Sequence, residues 1–224
     1  RNRQTIKLLE KAERARSVAG TDVAENTLYR YERRLYALWG SVRLRMGKPR
    51  EAMEAWRASM SAARQEGDAE AVARAQAGVG LSRVALGEVA AASSGLEQAL
   101  SRLPQGDPMW AQAAEALADA RLTRGDIDGS ERLWSELLDL GKEMGEGAVH
   151  ARAMAGLGLT AVVRGKLDTG RDDLENAVFR MRDQTPTKLL PASILRLAEF
   201  AHAEGRLESA RELALSADSV SRDL

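Results

Sequence analysis

The sequence predicts an all-α chain, an α-solenoid of about five helical hairpins preceded by a half-repeat, and three observations carry that prediction. Glycines recur at positions 47, 87, 125, 165 and 205, separated by 40, 38, 40 and 40 residues. Seven residues before each stands a small residue (Gly40, Gly80, Ala118, Gly158, Ala198), itself preceded by an apolar one (Trp39, Val79, Leu117, Leu157, Leu197). Aromatic residues make up only 4% of the chain, while Ala, Leu, Arg and Glu abound, which is the composition of helices. A fixed period of this length marks an array of stacked supersecondary units.

Each repeat divides at its glycine. The segment leading into it places apolar residues three and four apart, the helical period, and Gly after a helix fits a left-handed cap. A second amphipathic helix follows. Its packing positions, five and nine after the glycine, hold Ala52 and Trp56, Ala92 and Leu96, Ser130 and Trp134, Gly170 and Leu174, Ala210 and Ala214. Three further on come Ser59, Ala99, Leu137, Ala177 and Ala217. Pro49 falls in the first turn of such a helix, where a missing N–H is harmless. Hairpins are expected over 26–66, 68–103, 108–144, 147–183 and 187–222, and "TIKLLEKAERARS" reads as the second helix of a half-repeat over 1–20, with Leu9 and Ala12 in the packing places.

Two hairpins carry a Gly-x-Gly pair, in "GVGLSRVALG" (78–87) and "GLGLTAVVRG" (156–165). A phosphate loop needs a preceding strand and backbone N–H groups freed at a helix N-terminus. Neither is available inside a first helix. The pair is a packing mark, its second Gly placed where two helices approach closely.

The bulk numbers narrow the function classes. Lys plus Arg and Asp plus Glu are equal at 33 each, so no net basic field draws nucleic acid or an anionic membrane. Without cysteine there is no disulfide or thiolate chemistry. No apolar run approaches the ~20 residues that span a bilayer, and no secretory leader is visible; a cytoplasmic protein is expected. The chain starts at Arg1 and stops in mid-pattern, so an excerpt of a longer multidomain polypeptide is expected. Only six of the 33 basic residues are Lys, a codon bias that suggests a bacterial source. His150 and His202 fall on different hairpins without paired metal spacing, and no nucleophile elbow or paired carboxylates stand out. A non-enzyme without cofactor or metal is expected.

The glycine, small-residue and second-helix positions together resemble the tetratricopeptide (TPR) repeat. "LWGSVRLRMGKPREAMEAW" and "GVGLSRVALGEVAAASSGLEQALSRLP" match best, the latter ending in Pro104. The resemblance spans about Tyr31 to Ser221. These repeats run 38–40 residues against roughly 34 in the standard TPR, so the helices should be about a turn longer, as in large bacterial regulators. Where the family has a tyrosine, three after the small residue, this chain has Arg43, Arg83, Arg121, Ala161 and Ala201. A HEAT-like repeat of ~40–47 residues is the competing reading, and the Gly/Ala pairing favours TPR.

The resemblance implies a right-handed superhelix whose concave face, lined by first helices, receives a peptide. It places there Arg34, Ala37, Ser41 and Arg45; Arg74, Ala77, Leu81 and Val84; Gln112, Glu115, Asp119 and Leu122; Arg152, Ala155, Leu159 and Val162; and Leu195, Glu199 and His202. A segment with an apolar anchor and flanking charges suits that lining. The clamp that related proteins use on acidic chaperone C-termini is excluded, because Ala37 and Ser41 stand where Lys and Asn are required and the three Asn lie elsewhere. Arg43, Arg83 and Arg121 form either a ladder for an acidic ligand or a set of internal pairs with neighbouring repeats whose stems cover apolar surface; internal pairing is the expectation. Trp39, Trp56 and Trp134 read as core, whereas Trp110 is either an end-packing residue or an exposed anchor.

The expected function is a non-catalytic protein-protein interaction module. It would bind a partner segment, or another domain of the same chain, in the groove, as a regulatory part of a larger bacterial signalling or transcription-control protein. The alternative is a structural self-association or scaffold role, a homo-oligomer formed through the terminal hairpin "RLESARELALSADSV". RNA binding would need a basic groove, against which the neutral charge argues.

Overall fold

The computed structural model describes residues 25–145, 147–181 and 189–222; the half-repeat expected over 1–20 lies outside the described residues. Among the described residues there are ten α-helices and no strand. They are α1 (Glu25–Arg45), α2 (Pro49–Glu66), α3 (Ala69–Ala85), α4 (Val89–Leu100), α5 (Pro108–Thr123), α6 (Ile127–Glu143), α7 (Gly147–Val163), α8 (Leu167–Met181), α9 (Leu189–Ala203) and α10 (Leu207–Arg222). The chain divides into two compact units between Leu117 and Ala118, inside α5. Within the first, α1 packs on α2, α2 on α3, α3 on α4, and α1 also touches α3. Within the second, α6 packs on α7, α7 on α8, α8 on α9, α9 on α10, and α7 also touches α9.

The five turn glycines adopt one conformation, with φ of 69°, 78°, 81°, 84° and 77° at Gly47, Gly87, Gly125, Gly165 and Gly205. Each turn closes with the same bond. The N–H of Lys48, Glu88, Asp126, Lys166 and Arg206 donates to the carbonyl of Arg43, Arg83, Arg121, Ala161 and Ala201, at 2.9 Å in every case. This is the six-residue closure of a Schellman motif, which satisfies a helix-end carbonyl and reverses the chain. Helix starts are secured by side chains: Asp68 Oδ1 accepts from the Ala71 N–H at 2.8 Å and Asp126 Oδ1 from Gly129 at 3.0 Å. Pro49 opens α2 without a side-chain cap.

The Gly-x-Gly pairs lie within α3 and α7, and both glycines of each pair are contact points. A Cβ on Gly80 would sit 2.6 Å from Leu96 Cδ2, and one on Gly158 2.9 Å from Leu174 Cγ. These are the second glycines, facing the Leu of their own hairpin. The first glycines face backward. A Cβ on Gly78 would lie 2.2 Å from Trp56 Cδ2, and one on Gly156 2.2 Å from Trp134 Cδ2. The pair is therefore doubled because the preceding hairpin carries Trp. Where the preceding hairpin carries Leu96 or Leu174, the corresponding positions hold Ala116 and Arg196.

Core side chains are small or closely fitted. Ala52, Ala92, Leu96, Ala99, Trp134, Leu137, Leu174 and Ala177 are fully buried. Trp39, Trp56 and Trp110 are 7%, 4% and 4% exposed, which makes Trp110 a packing residue and removes the exposed-anchor alternative. The indole Nε1 atoms of Trp39, Trp56 and Trp134 are buried without a hydrogen-bond acceptor. An unmet donor costs about 1–3 kcal/mol, so apolar packing of the ring, and not a hydrogen bond, holds these side chains. Two buried hydroxyls return to their own helices: Ser82 Oγ donates to the Gly78 carbonyl at 2.8 Å and Thr160 Oγ1 to Gly156 at 2.7 Å.

Candidate functional site

In the first unit the first helices converge on a pocket of ≈ 350 Å³. Arg33 and Ala37 come from α1, Trp56 and Ser59 from α2, Ala71, Arg74 and Ala75 from α3, and Asp107, Pro108, Met109 and Gln112 from the start of α5. Helical spacing aims these residues the same way. Arg33 and Ala37, and Ala71 and Ala75, are four apart, one turn on a single face.

Two arginines form the rim, and both are matched by carboxylates. Arg33 Nε donates to Glu66 Oε2 at 2.6 Å, and its Nη2 lies 3.4 Å from Asp68 Oδ2. Glu66 also accepts from Arg30 Nε at 2.9 Å. Its side chain is only 7% exposed, and the Arg33 hydrogen bond, followed by that from Arg30, holds the carboxyl below its usual pKa. Arg74 Nε donates to Asp107 Oδ2 at 2.6 Å and its Nη2 pairs with Glu70. Partial burial works against the Arg74 charge, but the hydrogen bond and charge of Asp107, with Glu70 and Asp68, outweigh it and raise its pKa.

Asp107 is a hinge of the arrangement. Its Oδ1 accepts the Met109 N–H at 2.7 Å while its carbonyl accepts from Trp110 at 2.9 Å, so one buried residue caps α5 and holds Arg74. Pro108 at the first helical position suits that cap. Ser59 Oγ donates to the Arg33 carbonyl at 2.9 Å and ties α2 to α1. With the rim charges paired, the floor offered by Trp56, Ala71, Ala75 and Met109 is apolar. Such a site accepts an apolar side chain, while guanidinium N–H groups are at hand for a peptide carbonyl or carboxylate.

The pocket brings together three residues expected on the concave face, Ala37, Arg74 and Gln112. Arg34 is exposed outside its lining, and Arg33 takes the rim place. Ser41 is half-buried, donating to the Ala37 carbonyl at 3.0 Å, and Arg45 is exposed. Ala77 and Ala155 are fully buried and offer a partner no surface. Leu81, Val84, Glu115, Leu122, Arg152, Leu159 and Val162 are half-buried, and Asp119 is exposed. Leu195 is 49% exposed. Glu199 and His202 line a different pocket of ≈ 470 Å³ in the second unit, with Leu207, Ala210, Arg211 and Ala214.

Sequence reasoning missed Arg33, Ser59, Asp107 and Met109. Asp107 carries a readable signal, since Asp before Pro at a helix start predicts a cap; Arg33 carries none, because its role depends on the position of Glu66.

The recurrent arginines pair internally, each reaching residues of its own hairpin. Arg43 reaches Glu51 at 2.9 Å and lies 4.7 Å above the Trp39 ring. Arg83 approaches Glu88 at 3.8 Å and donates to the Ala91 carbonyl at 3.1 Å. Arg121 approaches Asp126 at 3.6 Å and donates to Gly129 at 3.3 Å. Each ties the end of a first helix to the start of the second helix in its own repeat.

Among the described residues no helix is long and apolar enough to cross a membrane. No family model matches the sequence, and none of the curated proteins matches it. Solved structures do match in shape. A Rap protein complexed with Competence and Sporulation Factor superposes with a TM-score of 0.70 at 12% identity, over 86% of this chain and 56% of that one. BtubC (BKLC) from P. vanneervenii gives 0.68 at 15% identity, over 99% and 90%. A Podosopora anserina protein ascribed to the kinesin light chains, with nearly identical TPR-like repeats, gives 0.60 at 18% identity, over 90% and 98%. At these identities the likeness speaks for the fold alone, and with the repeated hairpins it establishes a TPR-type helical-repeat architecture for this chain.

Proposed function

We propose that this chain is a non-catalytic interaction module that seats an apolar side chain of a partner segment in the first-helix pocket of its first unit. The observation that carries the reading is the pocket itself. Its floor of Trp56, Ala71, Ala75 and Met109 is apolar, and its rim of Arg33 and Arg74 is held in place by Glu66 and Asp107. Preorganisation of this kind lowers the entropic cost of binding. Support by analogy comes from the Rap structure, of the same architecture and solved with a bound factor. The remaining first-helix residues with exposed or half-exposed side chains, from Arg34 to His202, are proposed as secondary contacts. The setting proposed is a bacterial regulatory protein of the cytoplasm.

The test is peptide-display selection on the 224-residue chain, followed by titration of the selected peptides against wild type and Ala37→Trp. Ala37 is half-buried at the pocket wall, where it packs on the Trp56 cluster, so an indole there fills the cavity, and a thermal melt of the same variant reports whether the hairpin core is kept. Loss of binding with retained thermal stability supports the reading. Undiminished binding to Ala37→Trp overturns it.

A second reading, self-association through the terminal hairpin, has its own observation. Leu207 and Leu215 on α10 are 61% and 60% exposed, whereas Ala210 and Ala217 are buried at 9% and 6%. Exposed apolar patches of this kind mark interaction surfaces. A molecular mass by light scattering that stays monomeric across concentration removes that reading.

A further inference from the structure

A groove of ≈ 490 Å³ runs between α2 and α4 across α3, lined by four arginines: Arg57 and Arg64 from α2, Arg83 from α3, and Arg102 just past α4. Among the described residues, no carboxylate lines it. The balance of this patch thus differs sharply from that of the chain, whose charges sum to zero, and from the peptide pocket on α1, where each rim arginine is matched. Arg57 and Arg102 make no ion pair among the described residues, and Arg64 reaches only the Met60 sulfur at 3.7 Å. Arg83 Nε lies 3.8 Å from Glu88 Oε2, too long for a hydrogen bond, while its Nη1 donates to the Ala91 carbonyl at 3.1 Å. Its Nε is buried without an acceptor.

Grouping four guanidinium groups around one groove, three of them without a carboxylate in ion-pair reach among the described residues, is electrostatically unfavourable in the free protein. An incoming anionic ligand relieves that repulsion and meets planar N–H forks suited to carboxylates. The floor is uncharged. Gln76 spans it, donating to Gln98 Oε1 at 2.9 Å and to the Gly95 carbonyl at 3.3 Å, and Met60, Val72 and Val79 supply apolar surface.

We propose that this groove is a second binding site, distinct from the first-helix pocket, for an acidic segment of a partner protein. Alternate carboxylates of that segment engage Arg57, Arg64, Arg83 and Arg102, and intervening small or apolar side chains rest on Met60 and Val79. Charge complementarity chooses the occupant, and the apolar floor favours a polypeptide over a nucleic acid, whose bases need aromatic platforms; the groove lining has none.

The test uses the whole chain and a fluorescein-labelled peptide in which Glu and Asp alternate with Ala and Leu, followed by anisotropy. The expected results are saturable binding, weakening as salt rises from about 0.05 to about 0.3 M, and a loss of about tenfold or more when Gln and Asn replace the acidic residues. Arg57→Glu with Arg102→Glu, both exposed positions, should weaken binding by about tenfold or more, with Arg57→Gln and Arg102→Gln giving a smaller loss in the same direction. Ala37→Trp should leave this binding unchanged, which separates the site from the first-helix pocket. The proposal is overturned by absence of binding, by equal binding of the Gln/Asn peptide, by indifference to both arginine pairs, or by a single-stranded RNA that binds these arginines more tightly than the acidic peptide.

Discussion

Substituting Gly78 by Ala adds one methyl group to the middle of α3, where alanine is ordinarily the better helix former by ~1 kcal/mol. The structure predicts the opposite sign here. The added Cβ would lie 2.2 and 2.3 Å from Trp56 Cδ2 and Cε2, far inside the ~3.5–4.0 Å of ordinary carbon contact. The indole has little room to retreat, since a Cβ on Gly40 would stand 2.6 Å from its Cε2, showing that α1 closes the space as well. Overpacking of this kind costs ~1–3 kcal/mol. Taking the upper end and subtracting the helix-propensity gain leaves a net loss of ~2 kcal/mol, or a fall of ~4–8 °C in Tm for a chain of this size. Gly95→Ala is the matched control. It sits inside α4 with nothing within 4 Å of the new Cβ, and should raise Tm by ~2–4 °C. Thermal melts followed by far-ultraviolet circular dichroism read both. Trp56→Leu copies the pairing that the second hairpin makes with Leu96, so its cost should be smaller in the Gly78→Ala background, with a coupling of ~1 kcal/mol or more. A Gly78→Ala protein as stable as wild type, or a cycle that is simply additive, refutes the reasoning.

Asp107→Ala should cost ~2 kcal/mol, combining a lost cap of ~1 kcal/mol with the stranding of Arg74, whereas Asp107→Asn keeps the cap acceptor and should cost about half; chemical denaturation distinguishes them. Gly125, at φ 81°, should lose ~1 kcal/mol on substitution by Ala, because an L side chain is strained in the left-handed region; the same melts check it. Glu66 carries a lowered pKa, so its contribution to stability is full above the ordinary carboxylate pKa and is lost as pH falls through the lower folded value. A Glu66→Gln protein should therefore be less stable than wild type at neutral pH, and the gap should close as pH falls below about 4.5; melts across that range would show a constant gap if Glu66 were not held by Arg33 and Arg30.

The hairpin plan was legible because it is written in local rules. A turn glycine with positive φ and a small residue seven earlier are demands of one hairpin, so Gly47 and Gly40, or Gly165 and Gly158, can be read together without knowing the rest of the chain. Contacts between hairpins were harder to see. Nothing within their own hairpins calls for Gly78 and Gly156 beside Gly80 and Gly158; the rings of Trp56 and Trp134 in the preceding hairpins explain them. The same limit governs the candidate site. Aligning first helices by their small residues puts Arg34 beside Arg74, yet Arg33 bears the ion pair because Glu66 stands where it can be reached. Ala77 and Ala155 share a face with exposed neighbours in one dimension and are closed over by adjoining helices in three. The four arginines of the outer groove come from three separate elements, and no periodicity within one of them announces the cluster.

In the proposed complex an apolar side chain of the partner lies against the first helices. Intermolecular nuclear Overhauser effects from a selectively methyl-labelled Met109, recorded on the chain saturated with a selected peptide, address this most directly. The structure predicts strong contacts from the Met109 methyl group to an apolar side chain of that peptide. A bound peptide whose contacts all fall on second helices, leaving the Met109 resonance unmoved, would contradict it.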